Sequence, residues 1–262
     1  MYETILFEKG DGVATVSLNR PEVLNAFDMR LHEEVYDALN AAAADDEARC
    51  IVLRGEGKGF SAGADLAEVV GGDGSGSPDL GEYLRQTYGR LITRIVGIEK
   101  PILAALHGPV YGAGLGIALA CDLRLAAESA KFSVAFVKIG LIPDAGVSFF
   151  LPRVVGLGRA MQMSMLGEAL DAQEAHRVGL VSKVVPDEKL EEETSALAER
   201  LAGLPTQALG RMKQVLHRSF EGDLAAALEA EAVGQTFCGY TEDHGEGIAA
   251  FFEKRDPNFT GR

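Results

Sequence analysis

The chain has 262 residues, 47% of them hydrophobic, and a formal net charge of −14 at pH 7. This length and apolar content predict one large globular domain, or one domain with a helical appendage, and exclude a disordered or fibrous chain. The negative charge argues against nucleic acid or an anionic membrane surface as the main partner, because both would repel the chain.

The cysteines and the N-terminal segment indicate where the chain works. Cys50, Cys121 and Cys238 are widely spaced, and they form neither a metal-ligand pattern nor a disulfide framework. Residues 1–9 carry early charges and lack the apolar core of a secretion signal. No apolar run approaches the roughly 20 residues of a membrane-spanning helix. We therefore expect a soluble, cytoplasmic protein with no membrane partner.

The first part of the chain alternates short apolar runs with helix-like stretches, which predicts α/β layering. A hairpin opens the chain around the turn at residues 10–12, and Asp28 caps the first helix. The predicted strands are residues 4–7, 13–18, 50–53, 102–106 and 123–126, and the predicted helices are residues 28–44, 83–98 and 112–120.

A Gly/Ser-rich stretch, residues 71–79, predicts a flexible loop, which is either a tolerated surface loop or a lid over a ligand. From about residue 190 the strand signals stop. Helices without strands predict a separate layer or an oligomerisation element, so we divide the chain into a core, 1–190, and a C-terminal helical region, 191–262. The predicted helices of that region are residues 190–202, 206–221, 224–236 and 246–254.

Two segments rich in glycine and alanine carry the main functional signal. They are residues 60–66 (FSAGADL) and 107–116 (HGPVYGAGLG), and each lies between a strand-like run and a helix-like stretch. Small residues let the main chain approach a ligand, and a helix start offers unpaired N–H donors. Two such segments facing each other would form an oxyanion hole. The alternative for each is tight packing of a strand on a helix.

These segments, with residues 19–26 upstream and 139–146 (IGLIPDAG) downstream, resemble the crotonase, or enoyl-CoA hydratase/isomerase, superfamily. The resemblance runs nearly end to end and closes with residues 251–255 (FFEKR). Residues 138–144 and 257–262 resemble the 1,2-epoxyphenylacetyl-CoA isomerase type within it. The resemblance implies an α/β fold with a spiral core of ββα turns, and C-terminal helices that build a homotrimer or a dimer of trimers.

The resemblance implies that the N–H groups of Ala64 and Ala113 hold the carbonyl oxygen of an acyl-CoA thioester. Hydratases of the superfamily use two glutamates to hold and activate a water, and those two positions here are Gly116 and Phe136. Neither residue can carry a proton, which argues against ordinary hydration. The carboxylate that the segment retains is Asp144.

The resemblance of the Asp144 segment extends to two subgroups. In isomerases an aspartate at this position moves a proton, and in 4-chlorobenzoyl-CoA dehalogenases it attacks an aromatic carbon. The dehalogenase prediction is weakened because no histidine lies between His32 and His107 and the chain has no tryptophan. Pro-Asp-x-Gly is also ordinary turn chemistry, so Asp144 is alternatively a turn residue or a helix cap.

A single carboxylate suffices to isomerise an enoyl thioester. Burial of Asp144 near four apolar residues would raise its pKa and strengthen it as a base. The four are Phe136, Val137, Phe149 and Phe150.

Further residues are implied to border the coenzyme A path, namely Asn25, Ala26, Ala62, Asp65 and Leu66, with Phe136 in the acyl pocket. Lys254, from its own or a neighbouring subunit, would meet the nucleotide phosphates, or is alternatively a solvated lysine. Asp65 alternatively caps the following helix. His107 is predicted to be a hydrogen-bonded turn residue, and the other histidines to lie in polar helical contexts. We expect no metal and no cofactor beyond the coenzyme A of the substrate.

The sequence therefore predicts an acyl-CoA isomerase that moves a double bond between the 3 and 2 positions of an enoyl-CoA, with Asp144 as acid and base. One alternative is a hydratase with an atypical site, in which Glu68 or Glu82 would serve. The other is a non-catalytic acyl-CoA-binding homologue that has kept the pocket.

Overall fold

The computed structural model of the chain describes residues 2–69 and 79–262. Within these residues, nine strands form a six-stranded sheet with the order β1-β2-β3-β4-β6-β9 and a three-stranded sheet with the order β5-β7-β8. The strands are β1 (Ile5–Gly10), β2 (Val13–Leu18), β3 (Cys50–Gly55), β4 (Ile102–Leu106), β5 (Pro109–Tyr111), β6 (Leu123–Ala127), β7 (Lys131–Ser133), β8 (Leu170–Asp171) and β9 (Lys183–Val185).

The predicted N-terminal hairpin is confirmed. β1 and β2 pair antiparallel from Ile5 opposite Leu18 to Gly10 opposite Val13. Asp11 and Gly12 both have positive φ, at 51° and 76°, which is the backbone that a tight two-residue hairpin turn requires. From β2 to β9 every neighbouring pair in the large sheet is parallel, so the chain must cross over between strands.

The crossovers are helical. The α-helices of the described residues are α1 (Met29–Ala44), α2 (Leu66–Val69), α3 (Leu80–Gln86), α4 (Tyr88–Gly97), α5 (Ala113–Ala120), α6 (Val147–Val155), α7 (Leu157–Leu166), α8 (Ala172–Arg177), α9 (Leu190–Ala202), α10 (Thr206–Arg218), α11 (Leu224–Gly239) and α12 (Glu242–Glu253). Asp28 caps α1 as predicted, since its carboxylate accepts the N–H of Leu31 at 2.7 Å.

Successive turns of the chain place one strand in the large sheet and the next in the small sheet. β4 is followed by β5, and β6 is followed by β7. After β3 the chain reaches the small sheet as a single bridge, Ser61 to Val110. This repetition brings the two Gly/Ala segments side by side. All eight residues of α5 are buried, so the second segment continues into the middle of the core.

The break in the predicted helix 83–98 is the main departure from the sequence prediction. Two helices, α3 and α4, meet at Thr87, whose φ of −110° and ψ of −92° interrupt the helix. The Thr87 hydroxyl donates to the carbonyl of Tyr83 at 2.7 Å, which occupies an acceptor of the last turn of α3. The last predicted helix also starts earlier, at Glu242, because Thr241 caps it through the N–H of His244.

The predicted loop at residues 71–79 lies outside the described residues except for Asp79, which caps α3 through the N–H of Glu82. In the described part of the chain, no helix combines the length and apolar character needed to cross a membrane. No cluster of three or more histidine, cysteine or acidic side chains there has the arrangement of a metal site.

The C-terminal helical region does not lie wholly outside the core. α9 packs on the large sheet, where Ala198 and Ala202 join a buried cluster with Cys50 and Val52. The later helices are tied to the core by Lys213, which donates to Asp122 and to the carbonyl of Ile95, each at 3.0 Å. Large apolar side chains of α10–α12 remain exposed, among them Leu216, Leu224, Leu228, Val233, Phe251 and Phe252.

Candidate active site

The two Gly/Ala segments face each other across the start of α5. A Cβ atom built on Gly63 would lie 3.2 Å from the nitrogen of Ala113 and 3.0 Å from the carbonyl oxygen of Tyr111. Ser61 holds the segments in register, because its N–H donates to Pro109 and its carbonyl accepts from Tyr111, both at 3.0 Å. The pairing that the sequence suggested is therefore present in the fold.

Each segment presents a backbone N–H group directly after a glycine of positive φ. Gly63 has a φ of 102° and precedes Ala64, and Gly112 has a φ of 52° and precedes Ala113. Glycine adopts this backbone without steric cost, which turns the following N–H away from the local chain. Neither N–H donates a hydrogen bond to another of the described residues. Two unused donors thus lie on adjacent loops.

Ala64 and Ala113 both line one cavity of about 480 Å³. The cavity contains six of the predicted site residues, namely Ala62, Ala64, Leu66, Ala113, Phe136 and Asp144. The remainder of its lining is Leu80, Tyr83, Leu84, Tyr88, Gly112, Ala135, Lys138, Ile139, Leu141, Ile142 and Pro143. Asp144 is the single carboxylate among these described residues.

Asp144 is a desolvated carboxylate. Its Oδ1 atom is buried and has no hydrogen-bond partner among the described residues. Burial raises the pKa of Asp144 to about 6, since the charged form loses hydration that no donor replaces. The side chain caps no helix, because α6 begins after Gly146 without a side-chain cap. Asp144 takes part in the turn only through its backbone carbonyl, which accepts the N–H of Val147 at 2.9 Å.

Gly116 makes room for the loop that carries Asp144. A Cβ atom at this position would lie 2.3 Å from the carbonyl oxygen of Ala145 and 2.9 Å from the Cβ of Ala145. Such distances are far below van der Waals contact, so any side chain at 116 would displace the loop. The resemblance places a glutamate of the hydratases at this position. Here the backbone next to Asp144 fills the space that such a side chain would need.

The apolar surroundings expected for Asp144 are only partly correct. Phe136 lines the cavity, but Val137 is 42% exposed and packs outside it. The guanidinium carbon of Arg153 lies 3.6 Å from the centroid of the Phe149 ring, and Phe150 packs against Gly146, so neither phenylalanine lines the cavity. α3 and α4 supply the other wall of the cavity that Asp144 lines.

That opposite wall contains the residues that sequence reasoning missed, chiefly Tyr83, Leu84 and Tyr88. The sequence feature that could have indicated these residues is the spacing of apolar side chains in the predicted helix 83–98. A single continuous helix would not turn all three side chains to one cavity, since residues five apart lie on different faces. The break at Thr87 is what allows it. No proline marks that break in the sequence, and the nearest glycine, Gly89, lies two residues later within α4.

Three of the residues predicted along the coenzyme A path do not line the cavity. The side chain of Asn25 is fully buried and donates to the carbonyls of Glu56 and Gly59, each at 2.9 Å. Arg20 joins the carbonyl of Ala26 to the carboxylate of Asp65, at 2.6 and 3.1 Å. These contacts brace the loop behind the first Gly/Ala segment.

Two further predicted site residues, Asp65 and Lys254, lie at the ends of helices. Asp65 also accepts the N–H of Ala67 at 3.3 Å, which matches the alternative prediction that it caps the next helix. Lys254 is exposed at the C-terminal end of α12, with a φ of 56°. Its contact with nucleotide phosphates stays a prediction.

The carboxylates proposed for an atypical hydratase are used elsewhere. The Glu68 carboxylate accepts the N–H of Met29 at 3.1 Å, at the start of α1. The Glu82 carboxylate is paired with Arg85 at 2.8 Å. Neither residue lines the described part of the cavity.

Two histidine predictions have different outcomes. His107 contacts the carbonyl of Gly57 through Nε2 at 3.1 Å, as expected of a turn residue. The expectation of a polar context is wrong for His32, which is only 4% exposed and packs among aromatic rings. The polar neighbours of His32 in the sequence lie on the other face of α1.

Comparison with known proteins is consistent with this geometry. Residues 8–262 match the family model described as enoyl-CoA hydratase/isomerase. The chain is 41% identical over 262 residues to the 1,2-epoxyphenylacetyl-CoA isomerase of Escherichia coli K12, covering all of both chains. It is 43% identical to a probable enoyl-CoA hydratase of Rhodobacter capsulatus, covering 100% of this chain and 99% of the relative.

Solved structures share the fold. The crystal structure of an enoyl-CoA hydratase from Bacillus anthracis superposes with a TM-score of 0.91 at 33% identity, covering 99% of this chain and all of the other. The two Gly/Ala segments, the spiral of strands and the helical C-terminal region are thus those of a crotonase fold. The chain belongs to the enoyl-CoA hydratase/isomerase family and is an enzyme of that family.

Proposed function

We propose that the protein is an acyl-CoA isomerase that converts a 3-enoyl-CoA into a 2-enoyl-CoA. The observation that carries the proposal is the pairing of two unused N–H donors with one unpartnered carboxylate in a single cavity. Hydration in this family needs a pair of acidic groups around a water, and the described cavity offers one. Relatives of similar identity include an isomerase and a probable hydratase, so the cavity and not the overall likeness carries the choice between them.

In the proposed mechanism the thioester carbonyl oxygen accepts hydrogen bonds from the N–H groups of Ala64 and Ala113. Asp144 takes a proton from C2, and the electron pair of that C–H bond delocalises onto the carbonyl oxygen as a dienolate. The protonated Asp144 then returns the proton to C4, which leaves the double bond between C2 and C3. Oxyanion donors of this kind are worth about 3–4 kcal/mol each in comparable sites.

The raised pKa of Asp144 suits this role. A carboxylate whose pKa lies close to neutral pH accepts a proton more readily than an ordinary aspartate and can still release it. We expect kcat/KM on a 3-enoyl-CoA to rise with pH through a midpoint of about 6, since only the charged carboxylate can take the proton. The measurement is the pH dependence of initial rates in a constant-ionic-strength buffer series. A midpoint at about 4, the ordinary value for aspartate, would show that burial does not tune this group.

Product analysis of the wild-type enzyme tests the proposal against its rivals. We expect a 3-enoyl-CoA to give the conjugated 2-enoyl thioester, which is followed by its ultraviolet absorbance and by chromatography. We expect a 2-enoyl-CoA to give a minor fraction of the 3-enoyl isomer, because the conjugated thioester is the more stable one, and little 3-hydroxyacyl-CoA. Dominant formation of the 3-hydroxyacyl product would establish a hydratase. Tight binding of the thioesters with no conversion of either would support the non-catalytic alternative.

For coenzyme A itself we propose that Ala62 and Leu66 border the pantetheine arm, because both line the cavity beside Ala64. Asn25, Ala26 and Asp65 would act behind them, by holding the loop that these residues share. Lys254 is a candidate for the phosphates, since an exposed ammonium at a helix end is free to pair with an anion.

We also propose that the chain self-associates as a homotrimer or a dimer of trimers. α11 has no buried residue, although it is rich in leucine, alanine and valine. Its exposed apolar residues continue onto α12, where Phe251 and Phe252 are 76% and 77% exposed. Patches of this kind on a soluble chain mark a surface that another protein covers.

A further inference from the structure

The backbone on both sides of Ala64 is fixed by the segment that leads into α1. The carbonyl of Gly63 accepts the N–H of Phe27 at 2.8 Å, and the N–H of Asp65 donates to the carbonyl of Phe27 at 3.0 Å. Phe27 and Ala64 are therefore opposite each other in an isolated parallel bridge. The bridge uses the groups before and after Ala64, and no described residue accepts the N–H of Ala64 itself.

Arg20 connects the two segments of this bridge. Its Nη1 atom donates to the carbonyl of Ala26 at 2.6 Å. Both Nη atoms lie 3.1 Å from Oδ2 of Asp65, and Nη2 lies 3.1 Å from Oδ2 of Asp28. Ala26 and Asp28 are the residues before and after the bridge position of one segment, and Asp65 directly follows that of the other. One guanidinium thus holds both sides of the bridge.

The ion-pair cluster around Arg20 is shielded from solvent. The side chains of Arg20, Asp28 and Asp65 are 17%, 19% and 19% exposed, so water and salt screen their attraction less than on an open surface. Each carboxylate also holds a helix start. Oδ1 of Asp28 accepts the N–H of Leu31 at 2.7 Å, and Oδ1 of Asp65 accepts that of Ala67 at 3.3 Å. The first turns of α1 and α2 are therefore linked to the same guanidinium.

An oxyanion donor is effective only when it lies about 2.7–3.1 Å from the developing negative charge, so a small displacement of its backbone is costly. We propose that Arg20 is a positioning residue, which aligns the N–H of Ala64 with the thioester oxygen through Asp65 and the bridge to Phe27. Arg20 does not line the acyl cavity and acts through these contacts alone. Its planar fork reaches several acceptors at fixed angles, and the single ammonium of a lysine does not.

This inference rests on the proposed function, because it takes Ala64 to donate to a thioester carbonyl. The variants are Arg20→Lys, which keeps the charge and removes the fork, and Asp65→Asn, which keeps the size and removes the charge. The matched control is Arg54→Lys. Arg54 also lies among three carboxylates, at 3.5 to 4.0 Å, and it is outside the acyl cavity. Thermal melting of each variant sets a temperature at which it is fully folded.

Infrared spectroscopy of a bound saturated acyl-CoA, labelled with ¹³C at the thioester carbon, reports the oxyanion donors without turnover. In the wild-type complex we expect a lowered carbonyl stretching frequency, because hydrogen bonds from two N–H groups weaken the C=O bond. Arg20→Lys and Asp65→Asn should each lose about half of this shift, since one of two donors is displaced. Arg54→Lys should keep the whole shift. Affinity for the saturated thioester should stay within about threefold in all three variants, because the donors act mainly in the transition state.

Steady-state kinetics on a 3-enoyl-CoA provide the second readout. We expect kcat to fall by about 10²-fold in Arg20→Lys and in Asp65→Asn with little change in KM. The double variant should be within about twofold of the slower single variant, because both side chains act through one contact. The pH midpoint of kcat/KM should stay at about 6, since neither change touches Asp144.

Two results would overturn the inference. One is a full carbonyl shift and an unchanged kcat in Arg20→Lys, or a wild-type complex with no shift at all. The other is a parallel loss of affinity and kcat in the variants without a change in the carbonyl shift, which would show a structural role only. A shift that the variants lose, in an enzyme that does not isomerise either thioester, would uphold the inference and reject the proposed function.

Discussion

Replacement of Asp144 by asparagine is expected to lower kcat for the conversion of a 3-enoyl-CoA by about 10³-fold, within the range that a general base contributes. The amide has the same shape but cannot take a proton from C2. Binding of a saturated acyl-CoA should remain within about twofold, because the N–H donors of Ala64 and Ala113 are unchanged. Initial rates measure kcat, and calorimetric titration of the same preparations measures the binding of the saturated acyl-CoA.

The matched control is Glu82→Gln, which makes the same carboxylate-to-amide change on a side chain paired with Arg85 outside the cavity. It should retain the wild-type kcat. The control also tests the atypical hydratase, in which Glu82 would serve. If Asp144→Asn retains most of its isomerase rate, or if Glu82→Gln loses it, the assignment of the base is wrong.

Stability gives Asp144→Asn a second, independent readout. A carboxyl group whose pKa is raised to about 6 in the folded chain is charged in both folded and unfolded chains above that pH, so folding then carries the cost of burying the charge. Below about pH 4 the group is protonated in both states and the cost is absent. Asp144→Asn should therefore be more stable than wild type at pH 8 by about 1–2 kcal/mol, a gain that shrinks as pH falls from about 6 to 4.

The sequence predicted the fold well because the relevant signals are local. The hairpin turn at Asp11 and Gly12 and the cap at Asp28 each need only a few neighbouring residues. The positions of Ala64 and Ala113 follow from the family resemblance of the two Gly/Ala segments, and the structure brings both to one cavity with Asp144. Their chemical roles remain proposals.

What the sequence did not predict depends on contacts between distant parts of the chain. Thr87 reads as an ordinary helical residue, yet the break there turns Tyr83 and Tyr88 to the cavity. His32 has polar neighbours along the chain, and only tertiary packing encloses it. The apolar pair Phe149 and Phe150 lies close to Asp144 in sequence but packs elsewhere, because α6 starts only after a turn through two residues of positive φ.

Gly116 is the second position at which a large effect is expected. The obvious attempt to create a hydratase is Gly116→Glu, which restores the acidic residue of the superfamily pattern. We expect it to fail, because even the Cβ atom would lie 2.3 Å from the carbonyl oxygen of Ala145. The loop must then move and carry Asp144 with it, and a shift of about 1 Å at a reacting group costs about 10²-fold in rate.

The smaller change, Gly116→Ala, isolates this steric effect from the added charge. It should lower kcat for isomerisation by about 10²-fold and destabilise the fold by about 1–3 kcal/mol, as extra atoms in a packed core do. Gly158→Ala is the matched control, since Gly158 also lies within a helix but has open space around its Cβ position. That control should keep the wild-type rate and gain up to about 1 kcal/mol in stability.

Rates of isomerisation and hydration, with chemical denaturation of the same variants, decide between two explanations of the missing glutamate. If Gly116→Ala is as active and as stable as wild type, the loop at Asp144 tolerates a side chain at 116. The glycine then marks only the loss of a catalytic glutamate. If Gly116→Ala is impaired while Gly158→Ala is not, Gly116 is required for the approach of the Asp144 loop. In that case a glutamate at 116 and the observed position of Asp144 exclude each other, and the site is committed to chemistry with one carboxylate.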